Sequence, residues 1–153
     1  MEETEAFSEI VPLAMSDLDA VYELDQQCFS EQVAFPKHLF AYLLRSADCL
    51  CAGIKDGNKL AGFIIVQAVN VHKARLITLD ISQRYRARGL GTRLLEHAHN
   101  YLKERGFRKM LLEVQAGNRA AIRLYQQLGY NYVRLRKKFY PDGTDALQME
   151  KML

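Results

Sequence analysis

The sequence predicts an α/β (α+β) domain: one mixed sheet with helices packed on its faces. Two observations predict it. Apolar residues recur with a period near 3.6 in four segments and with alternating or continuous runs in seven others. The order is strand, two helices, three strands, helix, strand, helix, two strands, which contains both hairpins and crossovers. A third observation sets the scale. At 153 residues, 49% hydrophobic and 25% charged, the chain suits one domain, residues 1–153, with a single-domain core. Such a chain buries roughly 70% of its unfolded surface and needs no disulfide or metal staple.

Glu9 to Ala14 reads as the first strand. Ser16-Asp17-Leu18-Asp19 has the pattern of a capping box and starts a helix to about Cys28, with Leu18, Val21, Tyr22 and Leu24 on its apolar stripe. After a connection from Phe29 to Phe35, Pro36 stands at a first helical position and opens a helix to about Arg45. Cys49 to Lys55 and Leu60 to Asn70 form a hairpin turning at Asp56-Gly57, and Arg75 to Ser82 is the next strand. A glycine-containing loop leads into a long helix from Leu90 to Arg105, with Leu90, Leu94, Ala98 and Leu102 facing inward and Gly106 as its C-terminal cap. Phe107 to Val114 is a strand. Asn118 caps a helix to Leu128, with Gly129 beyond its end. Strands near Tyr130 to Phe139 and Asp145 to Met152 flank Pro141-Asp142-Gly143.

Composition excludes several function classes. The acidic opening Met1-Glu2-Glu3-Thr4-Glu5 is unlike the basic entry of a signal peptide, and the apolar stretch Ala61 to Val66 is too short to span a bilayer. The reading is a cytoplasmic protein with no membrane partner. A net charge of +3, from 21 basic and 18 acidic residues, does not demand nucleic acid but favours an anionic ligand. Three cysteines cannot all pair, so buried or half-buried thiols are expected. No metal site is expected, since His97 and His99 stand roughly 200° apart on their helix.

The segment Arg86-Ala87-Arg88-Gly89-Leu90-Gly91-Thr92 carries the first chemical signal. A helix start offers unpaired backbone N–H groups and partial positive charge. Glycines at 89 and 91 let a bulky anion approach, and Arg84, Arg86 and Arg88 add cationic donors. The place suits a pyrophosphate; the alternative is a plain turn. The nucleotide-triphosphate loop is absent, and Leu94 replaces the third glycine of the dinucleotide fingerprint.

Arg86-x-x-Gly89-x-Gly91 resembles the coenzyme A pyrophosphate loop of the GNAT acetyltransferases, and stands where that family has it, between the fourth strand and the long helix. A second motif is similar as well: Leu112-Glu113-Val114-Gln115-Ala116-Gly117-Asn118, then Ala121-Ile122-Arg123-Leu124-Tyr125, then Leu128-Gly129-Tyr130. The resemblance runs from about Ala74 to the C-terminus. It implies the GNAT fold, a mostly antiparallel twisted sheet of about seven strands with about four helices. Within the superfamily the chain most resembles the RimI-like group of protein N-terminal acetyltransferases, through Lys138-Phe139-Tyr140-Pro141-Asp142-Gly143-Thr144-Asp145-Ala146 and Phe35-Pro36. Phe139 replaces the first tyrosine of that group's aromatic pair.

The resemblance implies transfer of an acetyl group from acetyl-coenzyme A to a primary amine. The expected acceptor is the N-terminal α-amine of a protein or peptide, with no direct nucleic-acid partner, and the enzyme is a monomer or homodimer. The alternatives are a small-molecule amine as acceptor, or a coenzyme-binding regulatory module. Glu113 is then the candidate base and Tyr125 the candidate acid; a strand-end carboxylate in an ion pair and a core tyrosine are the structural alternatives. Leu79, Asp80 and Ile81 are expected to supply a backbone donor for the oxyanion. Arg86, Ala87, Arg88, Gly89, Leu90, Gly91, Thr92 and Asn118 are expected to bind the cofactor, and Phe35 and Tyr140 to grip the acceptor. The Asp80 side chain faces away from Leu79 and Ile81 and reads first as a surface charge. The basic run Arg134 to Lys138 reads as a solvated strand face.

Overall fold

The computed structural model describes residues 9–153, so the acidic opening lies outside the described residues. Its elements are β1 (Ile10–Pro12), α1 (Leu18–Cys28), α2 (Lys37–Arg45), β2 (Cys49–Asp56), β3 (Lys59–Ala68), β4 (Lys73–Ile81), α3 (Leu90–Glu104), β5 (Lys109–Gln115), α4 (Arg119–Gln127), β6 (Asn131–Arg136) and β7 (Ala146–Met152). Short 3₁₀ turns at Met15–Asp17 and Gln83–Tyr85 precede α1 and follow β4. The expected seven strands and four helices are present in the expected order. Among the described residues no helix is long and apolar enough to cross a membrane.

The seven strands form one mixed sheet in the order β1-β2-β3-β4-β5-β7-β6. Every pairing is antiparallel except β4 with β5, which the α3 crossover makes parallel. Helices cover both faces, so central β3 is apolar almost throughout rather than alternating. Phe63 and Ile65 pack with Val21 and Leu24 of α1 and Phe40 and Leu43 of α2. Ile64 and Val66 face the other way, onto Leu90, Leu94, Leu95, Ala98 and Leu102 of α3. Phe63 is fully buried and meets Phe40 edge-on at 6.1 Å, so truncating it to Ala costs about 3–5 kcal/mol.

Local chemistry moves several boundaries. Ser16 does not cap α1. A 3₁₀ turn starts one residue earlier, and Asp17 Oδ2 accepts the Ala14 N–H at 2.8 Å. Pro36 is the N-cap of α2 rather than its first residue. At the end of α3, Gly106 (φ +84°) lets its own N–H reach Lys103 O and the Phe107 N–H reach Leu102 O, so the chain turns before β5 begins at Lys109. β6 stops at Arg136 because Lys138 turns into the left-handed region (φ +53°), its N–H held by Asp145 Oδ1 at 2.9 Å.

Candidate functional site

β4 and β5 pair over only three rungs, Lys73–Lys109, Ala74–Met110 and Arg75–Leu111, and then part. On β4 the split coincides with a bulge. Leu76 pairs with Val66 and Thr78 with Ile65, leaving Ile77 as the extra residue. The backbone of β4 beyond Arg75 therefore lacks a β5 partner and lines an opening in the sheet. Two cavities meet there, of about 460 Å³ and about 440 Å³. Phe29, Leu79, Asn118, Ala121 and Tyr125 border both.

The first cavity is walled by Leu79 and Ile81 of β4 and by Arg86, Ala87, Gly89, Leu90, Gly91 and Thr92. Ala87 (φ +63°) and Gly89 (φ +78°) both take left-handed backbone to turn the chain into α3. The first intrahelical bond runs from Arg93 N–H to Gly89 O at 3.1 Å. The amides of residues 90–92 precede it and are the orphan donors of the helix start. Gly91 keeps α3 close to its neighbours: a Cβ there would stand 3.1 Å from Leu124 Cδ2. Asn118 Oδ1 caps α4 by accepting the Ala121 N–H at 3.2 Å. Arg88 is not on the cavity wall; its guanidinium lies 5.8 Å from the Tyr85 ring centre. Bare amides at one end and apolar Leu79 and Leu124 along the side fit a diphosphate joined to a thioester arm.

Arg86 donates from Nε to Ile81 O at 3.1 Å, so that carbonyl points off the β3 side. Strand alternation turns the Leu79 N–H the same way, into the opening, and the Asp80 N–H toward β3. Of the three residues expected to supply the oxyanion donor, Leu79 is the one whose amide faces the junction of the cavities.

The second cavity gathers Glu113, Tyr125, Phe35 and Tyr140. Glu113 lies on the face of β5 away from α3. Its Oε1 accepts from Arg75, and its Oε2 accepts from Gln148 Nε2 at 2.8 Å with Arg136 Nη1 at 3.6 Å. The ion-paired alternative is therefore real for this residue. A carboxylate has about four acceptor directions, so these three contacts do not exhaust its capacity, and Glu113 borders the cavity. Tyr125 is buried, and that burial raises its pKa and keeps it a hydroxyl donor. Tyr140 is pushed up to about 12, by burial first and then by the Glu113 charge. Phe35 packs edge-on against Phe40 at 5.8 Å, and its N–H donates to Asp25 Oδ2 at 2.8 Å.

The structure corrects the reading of Asp80. It is 1% exposed rather than a surface charge, with its carboxyl against Thr78 and Asp25 and off both cavity walls. The bulge at Ile77 and the packing of α1 bury it. The basic run is likewise not wholly solvated, since Arg136 turns in toward Glu113 and lies 5.0 Å from the Phe139 ring centre. Sequence reasoning missed Asp25, Arg75 and Gln148. Asp25 had a signal: Val21, Asp25 and Cys28 at spacings of four and three put a carboxylate on the apolar stripe of α1. The three thiols are free and partly buried, as expected.

Comparison with known proteins gives the family and the fold. Residues 18–130 match the model of the Acetyltransferase (GNAT) family. The chain is 35% identical over 144 residues to the [ribosomal protein bS18]-alanine N-acetyltransferase of Escherichia coli strain K12, covering 92% of this chain and 94% of that one. The crystal structure of the Escherichia coli ribosomal-protein-S18-alanine N-acetyltransferase superposes with a TM-score of 0.85 at 34% identity, over 94% of this chain and 92% of the other. Arabidopsis thaliana NAA60 in complex with acetyl-CoA has the same fold, with a TM-score of 0.85 at 19% identity over 95% and 98% of the two chains. A split parallel pair, a helix start with open amides and a family match spanning both place this chain in the GNAT acetyltransferase family.

Proposed function

We propose that this protein acetylates the N-terminal α-amine of a protein or peptide, with acetyl-coenzyme A as the donor. The observation that carries the proposal is the meeting of two cavities at Leu79 and Tyr125, with open amides at the far end of one and Glu113, Phe35 and Tyr140 in the other. The acceptor class is supported by the bacterial ribosomal-protein-alanine relatives and by a 26% identical N-alpha-acetyltransferase of Schizosaccharomyces pombe. We place the reaction in the cytoplasm, on a monomer or homodimer.

Bound acetyl-coenzyme A supplies an acetyl thioester, whose carbonyl accepts the nitrogen. The amides of residues 90–92 and Arg86 hold the diphosphate. The Leu79 N–H donates to the carbonyl oxygen as negative charge develops on it. An α-amine has a pKa of about 7.7–8.0, so a large fraction is already neutral and needs only a modest base. Glu113 takes the amine proton through one water. The Tyr125 hydroxyl protonates the departing thiolate. Phe35 and Tyr140 flank the first residues of the acceptor.

The test offers peptides with a free small N-terminal residue, matched copies with blocked N-termini, and metabolite amines, and locates the acetyl group by mass spectrometry. Free peptides are acetylated at the α-nitrogen and blocked copies are untouched. Acetylation of lysine side chains or small amines alone overturns the acceptor assignment.

A further inference from the structure

Asp25 on α1 and Asp80 on β4 are each 1% exposed, and each keeps one carboxyl oxygen without a partner, Asp25 Oδ1 and Asp80 Oδ2. Their other oxygens are used. Asp25 Oδ2 accepts the Phe35 N–H at 2.8 Å, and Asp80 Oδ1 accepts the Thr78 hydroxyl. The two carboxyls stand within hydrogen-bonding reach of each other. Two ionised carboxylates cannot meet this way out of water, because each is only an acceptor and their charges repel. One proton between the orphan oxygens removes both conflicts.

The surrounding groups do not supply another answer. Cys28 faces the pair from α1, Arg86 from the loop after β4, and Tyr125 from α4. Arg86 is the cation of this set, and its Nε is already committed to Ile81 O. Burial first, then the hydrogen bond and charge of Asp25, hold the Asp80 carboxyl well above the usual carboxylate range.

We infer that Asp25 and Asp80 share one proton, and that this buried hydrogen bond is a positioning device fixing the acceptor-side segment at Phe35 against the strand that carries Leu79. The connection runs from the Phe35 N–H through Asp25 and Asp80 to Thr78, the residue before Leu79. Asp25 also borders the acceptor cavity. Losing the proton sets two like charges face to face and frees the Phe35 segment, so acceptor binding suffers before the chemical step does. The kinetic half of the inference rests on the acetyl-transfer reading; the existence of the shared proton does not.

The experiment has two arms. Difference infrared spectroscopy of wild type against the Asp25→Asn, Asp80→Asn double variant at neutral pH reads the carbonyl stretch of an un-ionised carboxylic acid. The band is expected in wild type and absent from the double variant; its absence from wild type overturns the inference whatever the enzyme acetylates. In the kinetic arm, Asp80→Ala leaves Asp25 without its partner and raises the acceptor KM about tenfold or more, with a smaller change in kcat. Asp80→Asn, whose amide donates permanently to Asp25, restores KM to near the wild-type value. It also removes the rise in KM that wild type shows at alkaline pH after correction for the peptide's own α-amine titration. A fall in kcat alone for Asp80→Ala, or no rescue by Asp80→Asn, overturns the positioning role.

Discussion

Arg75 is the last residue of β4 to pair with β5, and from that rung its guanidinium hydrogen-bonds Glu113, two residues beyond its opposite partner Leu111. The bond therefore spans the point where the sheet opens. It fixes the proposed base relative to the strand that carries Leu79. Gln148 on β7 and Arg136 on β6 hold Glu113 from the other side, so three strands determine where one carboxylate points.

Glu113→Gln keeps the shape of the side chain and removes its proton-accepting power. Turnover is expected to fall about 10²-fold or more, because a positioned general base contributes on that scale. Acetyl-coenzyme A affinity should be unchanged, since Glu113 borders the acceptor cavity and not the cofactor one. Steady-state kinetics with calorimetry separates the two quantities. A rate equal to wild type removes Glu113 from the mechanism and leaves it as the hub of an ion-pair network.

Tyr125→Phe deletes one hydroxyl at the junction of the cavities while keeping the ring that packs edge-on against Tyr130 at 5.7 Å. The expected loss is about 10²-fold in kcat, with both KM values little changed. Circular dichroism and thermal melting confirm that the fold is kept. If kcat survives, the leaving thiolate takes its proton from solvent and Tyr125 is a core residue only.

Most of the fold was legible because the signals were local. Periodicity marked the helices, glycines at 57, 106 and 129 marked turns that need positive φ, and the loop from Arg86 to Thr92 carried its chemistry in contiguous residues. The split between β4 and β5, and the Arg75, Arg136 and Gln148 contacts to Glu113, were not legible, because they depend on strand pairing across 38, 23 and 35 residues. Asp80 was misjudged for a related reason. Alternation gave its direction correctly, but only the packing of α1 determines whether that direction is water or core.

The turn before α3 offers a test of why its two glycines are there. Gly89 has open space around its Cβ position but φ of +78°, so Gly89→Ala costs about 1–2 kcal/mol of backbone strain. Gly91 has ordinary backbone but little room, with Leu124 Cδ2 at 3.1 Å and Leu79 Cδ2 at 3.9 Å from a Cβ. Gly91→Val crowds the helix start against both cavity-wall leucines and is expected to weaken coenzyme A binding about tenfold or more, in line with the roughly 1–3 kcal/mol typical of overpacking. Titration calorimetry with coenzyme A gives the affinity. Wild-type affinity in Gly91→Val refutes the proposed docking of the diphosphate on those amides.

His99 makes the stability of the fold sensitive to acid. It is 5% exposed on the inner face of α3, and its Nε2 bonds the Tyr130 hydroxyl at 2.7 Å. Burial first, then the charges of Lys151 and Lys103, lower its pKa to about 4. The unfolded chain takes up this proton below about 6.5, whereas the folded chain refuses it until about 4, so the unfolded state binds more protons in that window. The stability is thus fully present above the unfolded value and is lost as pH falls toward the folded one, by up to about 3 kcal/mol. Urea denaturation between pH 7 and pH 4.5, spanning most of this window, should show the decline in wild type and a flatter profile in His99→Gln, which has no proton to gain. Parallel profiles for the two proteins assign the acid sensitivity to other groups. The same cluster carries the proposed acid: the Tyr130 ring packs against His99 with ring centres 5.6 Å apart and edge-on against Tyr125 at 5.7 Å.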